Sequence, residues 1–153
     1  WEYEEAFNRL YELQLNFPIR IKATCAPHYY RVMSQRSIPS PFPLPKGERV
    51  RVRGTKGCLA GQGVCFVSHK GEIFGCGYLP IAAGELRKND FKSIWFETEL
   101  FNILRDDSRL QGKCGICEFK KICGGCRARA YEATGDYLEE EPECVYQPLT
   151  AKS

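Results

Sequence analysis

Nowhere does the chain hold a run of about eighteen apolar residues, so the sequence offers no membrane-spanning helix. A basic stretch followed by an apolar one is also missing from its start, which leaves no readable secretory signal. There is no methionine at position 1. An amphipathic helix pattern already runs through Tyr3, Phe7, Leu10 and Leu13, and we expect a C-terminal piece of a longer protein. An excess of one charge is lacking too: a net charge of +3 over 153 residues exerts no strong pull toward nucleic acid. The basic concentration Lys46, Arg49, Arg51, Arg53 and Lys56 reads as a solvated loop, with a patch for an anionic substrate as the alternative. No internal repeat is visible. What the chain does have is cysteine, nine residues of it, beside an apolar content of 43% that suffices for a core. A chain of this length needs no disulfide staples, so these thiols point to a reducing, cytoplasmic compartment and to metal ligation.

Four of the nine fall in CGICEFKKICGGC, spaced C-x2-C-x5-C-x2-C at Cys114, Cys117, Cys123 and Cys126. Ahead of them the chain divides. Residues 1–36 read as helix (1–14), a short alternating strand (19–24) and a second helix (28–36) with Pro27 in its first turn, the remnant that the end of an α/β barrel would leave. Residues 37–57 carry Pro39, Pro41, Pro43 and Pro45 at alternate positions and form a Pro/Arg-rich linker or insertion. Residues 58–148 form the cysteine domain and 149–153 a tail. Within 58–148, GVCFVS and IFGCG flank a turn containing Gly71 and predict a β-hairpin whose open end brings Cys65 toward Cys76, with Cys58 reaching the same place through a flexible loop. An irregular stretch follows Pro80. A helical region capped by Asn89 or Asp90 then carries Phe91, Ile94, Trp95, Leu100, Phe101, Ile103 and Leu104 as the hydrophobic support, and a short helix from Arg127 stops at Gly135. The fold class expected is α+β: a small irregular cluster-binding domain with a hairpin and short helices.

Eight of the cysteines lie between 58 and 144, two sets of four. A cubane [4Fe–4S] cluster needs four thiolates, and in two-cluster ferredoxins the last cysteine of a compact run ligates the other cluster. Counted that way, Cys114, Cys117 and Cys123 hold one cluster with Cys144 from the returning tail, while Cys126 crosses to complete Cys58, Cys65 and Cys76. Structural zinc usually joins two C-x2-C knuckles across a longer gap than five residues; zinc and disulfides remain the alternatives.

With those residues in order, the chain resembles the SPASM domain, the C-terminal extension of many radical S-adenosylmethionine enzymes. The resemblance rests on Cys58, on Gly71 and Cys76 at G-x4-C spacing, on Cys114, Cys117, Cys123 and Cys126, and on Cys144, with Cys65 as the further ligand of two-cluster members. Two residues rather than the family's three separate Cys123 from Cys126. It implies the same two four-cysteine sets. TKGCLAGQGVCFVSHKGEIFGCGYLP and KCGICEFKKICGGCRARAYEATGDYL look most like the heme-biosynthesis branch, the iron-coproporphyrin decarboxylases, and CAPHYYRV looks like the last barrel strand and the segment after it. This likeness implies reductive cleavage of S-adenosylmethionine, hydrogen abstraction from a propionate, loss of carbon dioxide and an acceptor for the surplus electron. Cleavage needs C-x3-C-x2-C, which this chain lacks, so S-adenosylmethionine enters only through an N-terminal radical barrel expected upstream. The implied partners are that barrel, a tetrapyrrole substrate and an external electron donor or acceptor, with neither nucleic acid nor membrane. A peptide-modifying maturase and a non-catalytic electron-transfer or zinc module are the rival readings.

Five residues remain. Cys25, outside the two sets, reads as a buried structural thiol, with a place facing an active site from the C-terminal end of a strand as the alternative. His69, in the hairpin turn, reads as exposed, and His28, beside Tyr29 and Tyr30, is a candidate to touch substrate. Arg127 and Arg129 are either helix-surface charges or electrostatic support for a reduced cluster.

Overall fold

Residues at helical steps open the chain, and the computed structural model, which describes residues 1–17, 25–36 and 57–149, forms α1 there, Glu2–Asn16. Glu2, Glu4 and Glu5 in the first turn complement the helix dipole. Phe17, which precedes a proline, is extended and ends the helix. Helix α2, His28–Gln35, starts after Pro27 as expected and packs on α1 through Phe7, Tyr11, Tyr29 and Val32. The strand expected at 19–24 and nearly all of the linker at 37–57 lie outside the described residues.

Beyond the linker, β1 (Phe66–Val67) and β2 (Glu72–Phe74) pair antiparallel in the register Phe66↔Phe74 and Val67↔Ile73. The turn between them works because Gly71 has a φ of 88° and because the Ser68 hydroxyl accepts from the backbone N–H groups of Lys70 and Glu72. A third strand, β3 (Ala82–Glu85), pairs with β2 and gives the order β1-β2-β3. It replaces the irregular stretch expected after Pro80. Ala82, Ala83, Gly84 and Glu85 carry no strand preference of their own, and the strand exists because Gly84 lets the backbone approach Ile94.

The helical support is two helices, α3 (Phe91–Glu97) and α4 (Glu99–Arg105), broken at Thr98. Asp90 caps α3, its carboxylate accepting from the Ser93 N–H. Ile94, Leu100, Phe101 and Leu104 join Ile73, Leu79 and Ala128 in the core, each large side chain contributing about 1.5–3 kcal/mol by burial. Phe91 departs from the expected stripe: it is 47% exposed and stacks on Trp95 instead. A one-turn 3-10 helix at Asp107–Arg109 leads to α5 (Gly112–Ile116), and α6 (Arg127–Thr134) ends at Gly135, whose φ of 80° forms the left-handed cap. No described helix is long and apolar enough to cross a membrane.

Candidate metal centres

All nine cysteines are free thiols. Cys114, Cys117, Cys123 and Cys144 line one cavity, which also has His28, Arg31, Lys113 and Lys120 along its wall and holds about 20 Å³ of free space. Cys114 sits in α5, Cys117 ends that helix, Cys123 follows a tight turn in which its N–H donates to the Phe119 carbonyl, and Cys144 arrives on the returning tail. Lys113 ties the tail down, its N–H donating to Glu140 and its ammonium to the Cys144 carbonyl. Burial pushes the Cys117, Cys123 and Cys144 thiols up, Cys123 to about 12, and their mutual proximity adds to the rise. Such a set takes the thiolate form only around a cation, and iron meets that condition. Among the described residues, no three Cys, His, Asp or Glu side chains close on a point that a single ion would fill.

Cys126 stands elsewhere. Between it and Cys123, Gly124 and Gly125 adopt φ of 70° and 62°, a double left-handed bend that turns the chain out of the first cavity. A Cβ on Gly125 would lie 3.1 Å from the Cys114 sulfur and 2.3 Å from an Arg127 nitrogen, so the bend has no room for a side chain. Past it, Cys126 caps α6 and lines a second cavity of about 580 Å³ with Cys58 and Cys76, next to Leu59, Val64 and Tyr78. Cys58 is stitched into place because Gly57 N–H donates to the Ile122 carbonyl (2.6 Å) and Cys58 N–H to the Cys123 carbonyl (3.2 Å). Cys65 directly precedes β1 and Cys76 follows β2, so both stand at the open end of the hairpin as expected. With Cys126 they pack on the main core, but Cys65 is not among the residues lining the cavity.

Cys25 is a correction. It is exposed, not buried, at the rim of the second cavity with φ 56°, because the turn before Pro27 points it away from the α1–α2 core; Arg129 holds its carbonyl. His69 is exposed. His28 is buried at 2% exposure, stacked on Phe7, and burial lowers its pKa to about 4 against the upward pull of Glu141. The 3.8 Å approach of its Nε2 to Glu141 is therefore a contact of a neutral ring and not an ion pair. Arg127 is buried, donating to the Tyr137 and Glu139 carbonyls and, at 3.7 Å, to the Cys114 sulfur.

Glu141 had no signal in the sequence beyond an acidic run, yet it is 1% exposed and touches both thiol sets. Its N–H donates to the Cys114 sulfur (3.4 Å), while its carboxylate accepts from the Cys126 N–H (2.5 Å) and from two nitrogens of Arg129 (2.7 and 3.1 Å). Arg31, Lys113 and Lys120 were likewise unremarked; nothing in their spacing marks them as neighbours of the cysteines.

Residues 58–127 match SPASM, described as an iron–sulfur cluster-binding domain. The chain is 52% identical over 147 residues to an AdoMet-dependent heme synthase of Methanosarcina barkeri, with 96% of this chain and 42% of that protein aligned. It is 45% identical to the AdoMet-dependent heme synthase of Nitratidesulfovibrio vulgaris, with 96% of this chain and 40% of that one aligned. A PqqA peptide cyclase of Rhizobium meliloti is 34% identical over 61% of this chain and 27% of its own length. The chain thus spans about two fifths of the heme synthases it matches.

Proposed function

From the premise that residues 58–127 are a SPASM iron–sulfur cluster-binding domain, we propose that this chain is the auxiliary-cluster region of a radical S-adenosylmethionine enzyme that decarboxylates the propionates of iron-coproporphyrin to vinyls. The observation that carries the reading is the extent of likeness: 96% of the chain aligns with heme synthases at 45–52% identity, against 61% at 34% for a peptide cyclase. The partners in this reading are an N-terminal radical barrel, the tetrapyrrole and an external electron acceptor, in the cytoplasm.

Two [4Fe–4S] clusters are proposed, one on Cys58, Cys65, Cys76 and Cys126, the other on Cys114, Cys117, Cys123 and Cys144. The separation of Cys126 from Cys123 by the Gly124–Gly125 bend supports that division. When bound, such clusters supply one-electron acceptor capacity. The protein's part is positional. Glu141 and Arg129 fix the start of α6 and with it Cys126, and Lys113 fixes the tail that carries Cys144. Arg127 and the Glu141 N–H donate to the Cys114 sulfur and orient it.

The full-length protein, given iron-coproporphyrin and S-adenosylmethionine under reducing conditions, is expected to release the decarboxylated product. Absence of that product from protein with full iron content would sink the heme reading. Metal analysis is expected to give about eight iron and eight sulfide for the two sites; zinc without acid-labile sulfide would overturn the cluster assignment.

A further inference from the structure

Two side chains on α2, outside the matched domain, face the cavity of Cys114, Cys117, Cys123 and Cys144 with hydrogen-bonding capacity that the protein does not use. Both His28 and Arg31 are 2% exposed, and both line that cavity. Neither ring nitrogen of His28 has a partner, nor has Nε of Arg31. The environment explains why no protein group serves them. Phe7 stacks on the face of the imidazole, at 5.6 Å between centroids, and holds the ring in place. Glu141, at 3.8 Å, is already taken by Arg129 and the Cys126 N–H. The other nitrogens of Arg31 are committed to Gln35 and Glu4, and its guanidinium lies over the Tyr146 ring at 4.8 Å.

A buried donor left unmet costs about 1–3 kcal/mol, and two on one wall of one cavity make a costly arrangement unless the occupant accepts from them. Sulfur in a thiolate-held cluster is such an acceptor, and in either protonation state imidazole has at least one N–H to give. We propose that His28 and Arg31 donate N–H···S hydrogen bonds to the group that Cys114, Cys117, Cys123 and Cys144 hold, and so set its reduction potential from α2. The proposal rests on the cluster reading above. Donors to cluster sulfur stabilise the added negative charge of the reduced form, so their loss moves the potential to more negative values.

The test is a potentiometric EPR titration of the iron-loaded full-length protein, following the auxiliary signal that Cys114→Ala abolishes. His28→Phe keeps the stacked ring and removes the N–H; His28→Asn keeps a donor. Expected is a negative shift in His28→Phe at unchanged iron and sulfide, a potential near wild type in His28→Asn, and a smaller negative shift in Arg31→Lys, which keeps the charge and loses Nε. An unchanged potential in His28→Phe at full iron overturns the proposal, as does an equal shift in Phe and Asn variants, the mark of packing alone. Should His28→Phe lose iron, retention in His28→Asn supports the donor role and loss in both refutes it. Wild-type protein without acid-labile sulfide would instead bring down the cluster reading itself, and this inference with it.

Discussion

Cys65, Cys76 and Cys126 flank regular structure, whereas Cys114, Cys117, Cys123 and Cys144 are gathered by turns, a one-turn helix and a tail. Three thiols of the first set pack on the core of Ile73, Ile94, Leu100 and Phe101, so their positions come from hydrophobic burial. None of the second set belongs to either core cluster. Polar ties hold it: Lys113 to the tail, Glu141 and Arg127 to Cys114, and α2 across the cavity. The cavity of Cys58, Cys76 and Cys126 is the wider, lined by Leu59, Val64 and Tyr78 and also by Arg127, Arg129 and Glu132, while that of Cys114, Cys117, Cys123 and Cys144 is narrow and bordered by Arg31, Lys113, Lys120 and Glu141. Cationic side chains border both cavities, so the two differ in width and not in the sign of their surroundings. The wider cavity of Cys58, Cys76 and Cys126 is the better placed for exchange with a molecule outside.

The largest test of that division is Cys126→Ala. It is expected to cost the hairpin site its iron, about half of the auxiliary total, and to leave the signal of the Cys114 site in place. Retention of the hairpin signal with loss of the other would reverse the assignment. Next in size, Phe101→Ala should destabilise the domain by about 3–5 kcal/mol, since its ring is fully buried. Chemical denaturation reads this, and comparable damage to both sites' spectra would mean that the second set leans on the same core after all.

Gly125→Ala adds a Cβ at φ 62° in a crowded bend and should cost about 1–3 kcal/mol, with the Cys114 site the more affected. A thermal melt together with iron content per site checks it; a melt equal to wild type would show that the bend tolerates a side chain. Smallest is Cys25→Ser. The thiol is exposed, so stability should move by no more than about 0.5 kcal/mol and iron content should not change. Iron loss would bring Cys25, which shares a cavity with Cys58, Cys76 and Cys126, into the donor set.

Much of this was legible in the residues because the signals are local or countable. The hairpin follows from Gly71 between alternating segments, the α3 cap from Asp90, and the end of α6 from Gly135. The parity of eight cysteines is the ground for the proposed crossing of Cys126, and the bend at the two glycines before it supports that proposal. What stayed hidden depends on tertiary neighbours. Strand β3 is made of residues without strand preference and is imposed by its partner β2 and by Ile94. Glu141 in an acidic run looks like solvent-facing charge until Arg129 and two backbone N–H groups are seen around it. Cys25 reads as a buried thiol by residue type, and its turn puts it outside.

The two backbone hydrogen bonds from Gly57 and Cys58 to Ile122 and Cys123 join segments far apart in the chain. Every residue between them forms a loop closed by that seam, with hairpin, α3, α4 and α5 inside it. Closing so long a loop carries an entropic cost that two hydrogen bonds do not offset, and the core must form before the seam can hold. Thiols on both sides of the seam, Cys58 and Cys123, come together only at that late stage. In the proposed assignment Cys58 and Cys126, one from each side of the seam, share a cluster that clasps a finished fold, and stripping its iron should let the seam open first while the hairpin core remains shut.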